Sequence, residues 1–125
     1  MSVSRKVLLA ENSDTTRLTH RIMITKKTRH TVVSVANGTE ALRMAELEKP
    51  DLILLDVVMP DMDGLEVCRR MRQMPVTASV PIVLLTFRMT QETVSQGLAS
   101  GGTGYLQKPL TAEVLVDTLK QHLGS

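Results

Sequence analysis

The chain has 125 residues, enough for one domain that buries a single core, and we predict one domain over residues 1–125. Its formal net charge of +2 is weak support for nucleic-acid binding, and its single cysteine excludes an internal disulfide. No apolar run approaches the ~20 residues of a membrane span, and the N-terminus lacks a signal peptide's long apolar region. We therefore expect a cytoplasmic protein that contacts neither membrane nor nucleic acid directly.

The first half of the chain alternates short apolar segments with amphipathic ones. Ser13 and the acid after it are typical of a helix start, and Leu18 and Ile22 are expected on the inward face of that helix. Pro50 ends a second helical segment. The predicted elements are strand one over Lys6–Ala10, helix one after Ser13, strand two over Thr31–Val35 and helix two over residues 39–48.

The third strand is the most informative stretch. Leu52–Asp56 is an aliphatic run that ends in a carboxylate, and Pro60 and Gly64 then break the chain. Such a run indicates a strand buried on both faces, as in a parallel sheet. In open α/β sheets, ligands bind outside the carboxyl ends of the strands. Asp56 could therefore carry chemistry or could simply cap the following turn, and this stretch alone leaves both open.

The second half repeats the alternation. Asp61 and Asp63 are expected to shape the turn before helix three. On that helix Arg72 is expected to face mostly outward. The histidines are expected at the surface. Five strands and five helices predict an α/β fold, a doubly wound parallel sheet with helices on both faces. The remaining predicted elements are helix three after Gly64, strand four over residues 81–85, helix four over residues 90–100, strand five over residues 105–106 and helix five after Thr111.

Polar side chains follow several of the predicted strands. In a parallel sheet they would converge at one edge: Glu11 and Asn12 after strand one, Asp56, Thr86 and Lys108. The carboxylate and amide oxygens of this set suit Mg²⁺. The Thr86 hydroxyl can donate a hydrogen bond to one phosphoryl oxygen, and the Lys108 ammonium can neutralise the charge of another phosphoryl oxygen. Asp56 would then be a nucleophile that forms an aspartyl-phosphate.

The chain resembles a response regulator receiver domain, the CheY-like module of two-component signalling. The resemblance covers essentially the whole chain and implies a flavodoxin-like sheet in the order 2-1-3-4-5. The segments that carry it are Glu11-Asn12, residues 37–42, residues 51–56, residues 59–64, residues 81–86 and residues 105–109.

The resemblance also implies roles. Asp56 would accept a phosphoryl group from a sensor histidine kinase or phosphotransfer protein with Mg²⁺, and the Val58 carbonyl would help to bind the metal. Thr86 and Tyr105 would form a switch pair, and Lys108 would bridge to the phosphate. A downstream output domain or protein would read the face formed by helix 4, strand 5 and helix 5, which could also carry a homodimer contact. The domain would be a regulator, with self-catalysed phosphotransfer and dephosphorylation at most.

Two residues depart from the family pattern. Asn12 stands where a metal-binding acid is usual, so we expect weakened Mg²⁺ binding unless Glu11 reaches in and substitutes. Phe87 stands where a small residue is usual, and its ring either roofs the site and limits access or simply points outward. The glycine-rich residues 101–104 are also expected to be mobile.

These departures keep a second function open. The alternative is a pseudo-receiver, a protein-interaction module with the same fold that works without phosphorylation. Asn12 and Phe87 favour it, whereas Asp56, Thr86 and Lys108 argue against it. A flavin or nucleotide carrier is disfavoured because no Gly-rich phosphate loop follows strand one and aromatic residues are scarce.

Overall fold

Strands and helices alternate strictly along the chain, as predicted. The computed structural model describes residues 3–124, so the ends of the predicted 1–125 domain lie outside the described part. The elements are β1 Lys6–Ala10, α1 Asp14–Lys27, β2 Thr31–Val35, α2 Gly38–Glu48, β3 Leu52–Asp56, α3 Gly64–Gln73, β4 Ile82–Thr86, α4 Gln91–Ala99, β5 Gly104–Gln107 and α5 Ala112–Leu123.

The five strands form one parallel sheet in the order β2-β1-β3-β4-β5, which confirms the predicted topology. Ala10 of β1 lies opposite Leu55 of β3, and Asp56 lies opposite Leu85 of β4. This register brings the carboxyl ends of β1, β3 and β4 to the same edge of the sheet. Every residue of β3 and β4 is buried, because helices cover both faces.

The hydrophobic core is divided between the two faces of the sheet. Strand side chains alternate, so that Leu8 packs with α2 and α3 on one face while Leu9 packs with α1 and α5 on the other. Cys68 of α3 is a buried core residue, as expected. No helix within residues 3–124 has the length and apolarity needed to span a membrane.

Polar side chains start each helix. Ser13, Asn37, Asp63, Thr90 and Thr111 each accept a hydrogen bond from a backbone N–H in the first turn of the helix that follows.

Asp61, expected to shape the turn before α3, instead binds the start of α2. Its carboxylate accepts hydrogen bonds from the Thr39 hydroxyl and from the backbone N–H groups of Gly38 and Thr39. These bonds, above all the one from the Thr39 hydroxyl, lower the pKa of Asp61 to about 2.

The inward face of α1 differs from the prediction. Leu18 is 58% exposed and Ile22 is 42% exposed, whereas His20 and Ile24 are buried. The apolar side chains of α1 form two stripes, and the packing of α1 against the sheet and α5 buries the stripe that contains Ile24. The prediction that the histidines lie at the surface was therefore wrong for His20, and also for His30, which is buried and accepts a hydrogen bond from a backbone N–H.

Arg72 does not face outward as predicted. Its guanidinium donates hydrogen bonds to the carbonyls of Thr77, Val80 and Gly101 and to the Thr103 hydroxyl. Two of these residues lie between α3 and β4, and the other two lie between α4 and β5. Arg72 therefore connects the end of α3 to both segments, at the edge of the sheet opposite Asp56. Gly101 has a φ of +100°, which favours glycine, and an added Cβ would lie 2.6 Å from Arg72 Cγ.

Candidate functional site

The carboxyl ends of the strands surround a cleft of about 360 Å³. Every predicted site residue lines it except Tyr105. Sequence analysis did not single out Ser13, Arg88 or Thr93 as lining residues, although the Thr90–Thr93 spacing is typical of a helix start. The lining consists of Glu11, Asn12, Ser13, Asp56, Val58, Thr86, Phe87, Arg88, Thr93 and Lys108.

Lys108 joins the two carboxylates of the cleft. Its Nζ lies 3.0 Å from Asp56 Oδ2 and 3.0 Å from Glu11 Oε1. All three side chains are buried, with at most 4% of any of them exposed. When all three are ionised, one positive charge faces two negative charges, so the group carries an excess negative charge in a place that water barely reaches.

The pKa of Glu11 reflects this excess negative charge. Burial, followed by the nearby Asp56 carboxylate, raises the pKa of Glu11 above its ordinary value. The Ser13 backbone N–H and the Lys108 ammonium hydrogen-bond the carboxylate and act in the opposite direction. Glu11 is thus held inward, in a position where an additional cation would favour its ionised form.

Asp56 is oriented by backbone groups. Its Oδ1 accepts a hydrogen bond from the Val58 N–H at 3.1 Å, and its Oδ2 lies 3.5 Å from the Asn12 backbone nitrogen. Gly64 packs directly behind it, since an added Cβ would lie 2.2 Å from the Asp56 carbonyl oxygen. The local fold therefore fixes the carboxylate at the floor of the cleft.

The oxygen donors of the cleft come from side chains and backbone. Residues 3–124 contain no cluster of three or more acidic, histidine or cysteine side chains that could hold a metal. The available set is the carboxylates of Glu11 and Asp56, the exposed Asn12 amide and the Val58 carbonyl. Mg²⁺ commonly takes one or two carboxylates and keeps several waters, so this hard-oxygen set is compatible with it.

Thr86 ends β4, and its hydroxyl is bonded to the backbone of Arg88. Its Oγ1 accepts a hydrogen bond from the Arg88 backbone N–H and donates one to the Arg88 carbonyl, both at 3.1 Å. The Thr86 carbonyl accepts a hydrogen bond from the Lys108 N–H, which ties the end of β4 to the segment after β5.

Phe87 lies at the rim of the cleft. Its side chain is largely exposed, yet the ring centroid lies 4.5 Å from Lys108 Nζ, at cation–π distance. Gln107 donates a hydrogen bond to the Phe87 carbonyl and so helps to hold this position. The ring thus points outward and also covers the ammonium, while its effect on access stays a prediction.

Tyr105 lies outside the cleft, on the α3 side of the sheet. Its ring packs in the space left by Gly97 of α4, where an added Cβ would lie 2.2 Å from a ring carbon. Burial raises the pKa of its phenol. Its role in a switch stays a prediction.

His20 lines a smaller groove of about 160 Å³ behind Phe87 and Lys108. Burial and the charge of Lys108 lower the pKa of His20, which favours its neutral imidazole. Its Nδ1 has no hydrogen-bond partner among the described residues.

Comparison with known proteins agrees with this geometry. The family model of the response regulator receiver domain matches residues 7–120. The transcriptional regulatory protein AfsQ1 of Streptomyces coelicolor is 40% identical over 109 residues, which cover 87% of this chain and 47% of AfsQ1. The chain thus spans about half the length of this relative. The protein PilH of Pseudomonas aeruginosa is 29% identical over 114 residues, which cover 91% of this chain and 93% of PilH.

Solved structures show the same fold. The chemotaxis protein CheY4 of Vibrio cholerae superposes with a TM-score of 0.92 at 33% identity, covering 97% of this chain and 100% of CheY4. The receiver domain of the sensor histidine kinase PA1611 from Pseudomonas aeruginosa has a TM-score of 0.89 at 30% identity, with 98% of this chain and 100% of that domain covered. That structure has a magnesium ion coordinated in its active site cleft. The present chain belongs to the family of response regulator receiver domains.

Proposed function

We propose that this chain, as a single receiver domain, is a phosphoacceptor switch that takes a phosphoryl group onto Asp56 from a sensor histidine kinase or phosphotransfer protein. The observation that carries the proposal is a buried carboxylate at a strand end, fixed by backbone N–H groups and 3.0 Å from the Lys108 ammonium. An Asp56 oxygen attacks the donor's phosphorus atom, and the bond from phosphorus to the donor nitrogen breaks with its electron pair leaving on nitrogen.

Lys108 and Thr86 would stabilise the transferred group. Lys108 already lies against the Asp56 oxygen, so it can neutralise charge on a phosphoryl group without a large movement. The Thr86 hydroxyl, now bound to Arg88, would have to turn to donate to a phosphoryl oxygen.

A magnesium ion would be held by the carboxylates of Asp56 and Glu11, the Asn12 amide oxygen and the Val58 carbonyl. When bound, it would supply positive charge to the incoming phosphoryl oxygens. The excess negative charge of the buried carboxylates supports this assignment, because it is the charge that a divalent cation would offset. The missing charge at Asn12 is expected to weaken the binding.

The signal would leave through the face formed by α4, β5 and α5. In this proposal Thr86 turns toward the phosphoryl group and Tyr105 moves further inward beside Gly97. Exposed apolar side chains on α4 and α5, Leu98 at 54% and Val114 at 38%, support a contact with an output domain or protein, or with a second copy of the chain. The domain would act as a regulator whose own chemistry is limited to phosphotransfer and dephosphorylation.

Intact-mass measurement tests the proposal. After incubation with Mg²⁺ and a small acyl phosphate, the wild-type chain is expected to gain one phosphate-sized mass. Asp56→Asn should gain none, while Asp14→Asn, which removes an exposed acid near the cleft, should label like the wild type. Labelling of Asp56→Asn to the wild-type extent would show that another residue is the acceptor.

The second candidate is a pseudo-receiver that binds partners without phosphorylation. The exposed Asn12 amide and the Phe87 ring over Lys108 favour it, because the first would weaken the metal site and the second would narrow access to the cleft. Absence of any mass gain in the wild type at high donor concentration would support this alternative.

Phe87→Ala tests the access effect, and it also removes the ring that lies over Lys108. If the ring restricts the cleft, phosphorylation and hydrolysis should both become faster. Unchanged values of both rates would remove Phe87 as a gate.

A further inference from the structure

Hydroxyl groups connect the cleft to the first turn of α4. The Arg88 carbonyl accepts hydrogen bonds from two of them, the Thr86 hydroxyl and the Thr93 hydroxyl, each at 3.1 Å. Thr86 and Thr93 both line the cleft, although Thr93 belongs to α4. The Arg88 carbonyl, in the segment after β4, therefore links Thr86 at the end of β4 to Thr93 in α4.

The position of the Thr93 hydroxyl is set by the helix start and not by Thr86. Its oxygen accepts a hydrogen bond from the Thr90 N–H at 2.9 Å, and its proton can go to the Arg88 carbonyl or to the Thr90 carbonyl at 3.0 Å. The Thr90 hydroxyl in turn accepts from the Thr93 N–H, which completes a capping box. Thr93 would thus keep its orientation if Thr86 moved.

A threonine hydroxyl has only one proton to donate. In the described conformation the Thr86 proton goes to the Arg88 carbonyl, so it cannot also reach a phosphoryl oxygen on Asp56. When Thr86 turns, the Arg88 carbonyl loses the Thr86 hydrogen bond, and the Thr93 proton, for which the Thr90 carbonyl is the alternative acceptor, is then available to the Arg88 carbonyl.

We propose that Thr93 is a positioning residue for phosphotransfer, whose hydroxyl keeps the Arg88 carbonyl bonded when Thr86 turns to the phosphoryl group. The inference rests on the proposed function of Asp56. It assigns to a residue of α4 a role that acts through the Arg88 carbonyl. Without the Thr93 hydroxyl, the turn of Thr86 would leave this carbonyl without a protein partner.

Three variants test the inference. Thr93→Val removes the hydroxyl at nearly constant shape, and Thr93→Ser restores it. Thr90→Val weakens the same helix start and removes the Thr90 hydroxyl, which lies 3.2 Å from the Thr93 hydroxyl, but it keeps the Thr93 hydroxyl and the Thr90 N–H that binds it. The initial rate of phosphate mass gain is measured with a small acyl phosphate, together with the Mg²⁺ concentration that gives half the maximal rate.

The net value of one hydrogen bond predicts that Thr93→Val labels about two- to tenfold more slowly than the wild type. Thr93→Ser and Thr90→Val should remain within about twofold of the wild type. The half-saturating Mg²⁺ concentration should not change, since Thr93 is not among the metal donors.

Equal slowing in Thr93→Val and Thr90→Val would overturn the inference, because it would assign the effect to the stability of the helix start. A wild-type rate in Thr93→Val would overturn it as well, and in both cases the proposed function would stand. A wild-type chain that gains no phosphate would overturn both proposals.

Discussion

Removing the Lys108 ammonium should destabilise the fold far more than removing an exposed one. Lys108→Met leaves the carboxylates of Glu11 and Asp56 buried without their cation, which was 3.0 Å from each. Breaking a buried ion pair by removing one partner typically costs about 3–5 kcal/mol. The matched control is Lys6→Met, since the Lys6–Glu48 pair is as short, at 2.9 Å, but is 38% and 33% exposed. Such a pair contributes about 0–1 kcal/mol.

The cost of Lys108→Met should depend on pH. The pKa of Glu11 is already raised by burial and by Asp56, and the loss of Lys108 raises it further. When the pKa of a carboxyl group is higher in the folded state than in the unfolded state, the group's contribution to stability is fully present below the unfolded-state pKa. That contribution is lost as the pH rises through the folded-state pKa. The variant's free energy of unfolding should therefore fall between pH 5 and pH 8, by about 1.4 kcal/mol per pH unit while the extra proton is held.

Urea denaturation at pH 5 and pH 8, with chelator to remove divalent cations, measures these values. The double variant Lys108→Met/Asp56→Asn should recover stability at pH 8, because only one carboxylate then remains. Equal costs for Lys108→Met and Lys6→Met, or a cost independent of pH, would refute the electrostatic argument. A double variant as unstable as Lys108→Met would show that lost packing, and not charge, dominates.

Three further predictions concern individual residues. Gly97→Ala should lower the free energy of unfolding by about 1–3 kcal/mol, because the new methyl group displaces the Tyr105 ring. It should also shift the tyrosine fluorescence, since Tyr105 is the only tyrosine and the chain has no tryptophan. Gly104→Ala, which meets nothing within 4 Å, is the control, and equal effects would contradict the packing argument. Because the pKa of Asp61 is lowered in the folded state, its carboxylate stabilises the fold above the ordinary pKa of aspartate, and this stabilisation is lost as the group is protonated. The wild type should therefore lose thermal stability as the pH falls from about 4 towards 2. Asp61→Asn should show a smaller loss over the same pH range. Asn12→Asp should tighten Mg²⁺ binding in a calorimetric titration. A unit negative charge and a divalent cation ~4 Å apart attract each other by about 8 kcal/mol at an effective dielectric of ~20, which is an upper bound because desolvation of the carboxylate opposes it. Equal affinities would refute the role of the missing charge.

The strands and their convergence could be predicted because they depend on strong, local signals. An aliphatic run such as Leu52–Asp56 has few alternatives to a strand buried on both faces, and parallel strands must end at the same edge. Asp56 and Lys108 therefore meet as expected. The exposure of the Asn12 side chain and the inward position of Glu11 depend on the path of one loop, which the residue types do not determine.

Features that depend on how one element packs against another could not be predicted. Both Ile22 and Ile24 fit an apolar stripe of α1, and only the contact with the sheet and α5 selects Ile24. The same packing buries His20, whose residue type alone suggests the surface. Arg72 was assigned to solvent because arginine usually is, yet its partners lie on loops that are distant in sequence from α3. Thr93 was missed because its partner is the backbone of residue 88, which no side-chain pattern reveals.

The hydrogen bonds of Arg72 give α4 one anchored end and one adjustable end. The helix has nine residues and is about 14 Å long, and the segment beyond its C-terminus is bound to Arg72 through the Gly101 carbonyl. Its N-terminus is joined to β4 through hydroxyl contacts beside the cleft. A rotation of about 10° around the anchored end would move the N-terminus by about 2 Å, given the rise of 1.5 Å per residue. In the proposed switch, the turn of Thr86 would release one of these contacts and let the helix tilt about its anchored end, and the displacement would increase along the helix toward the cleft.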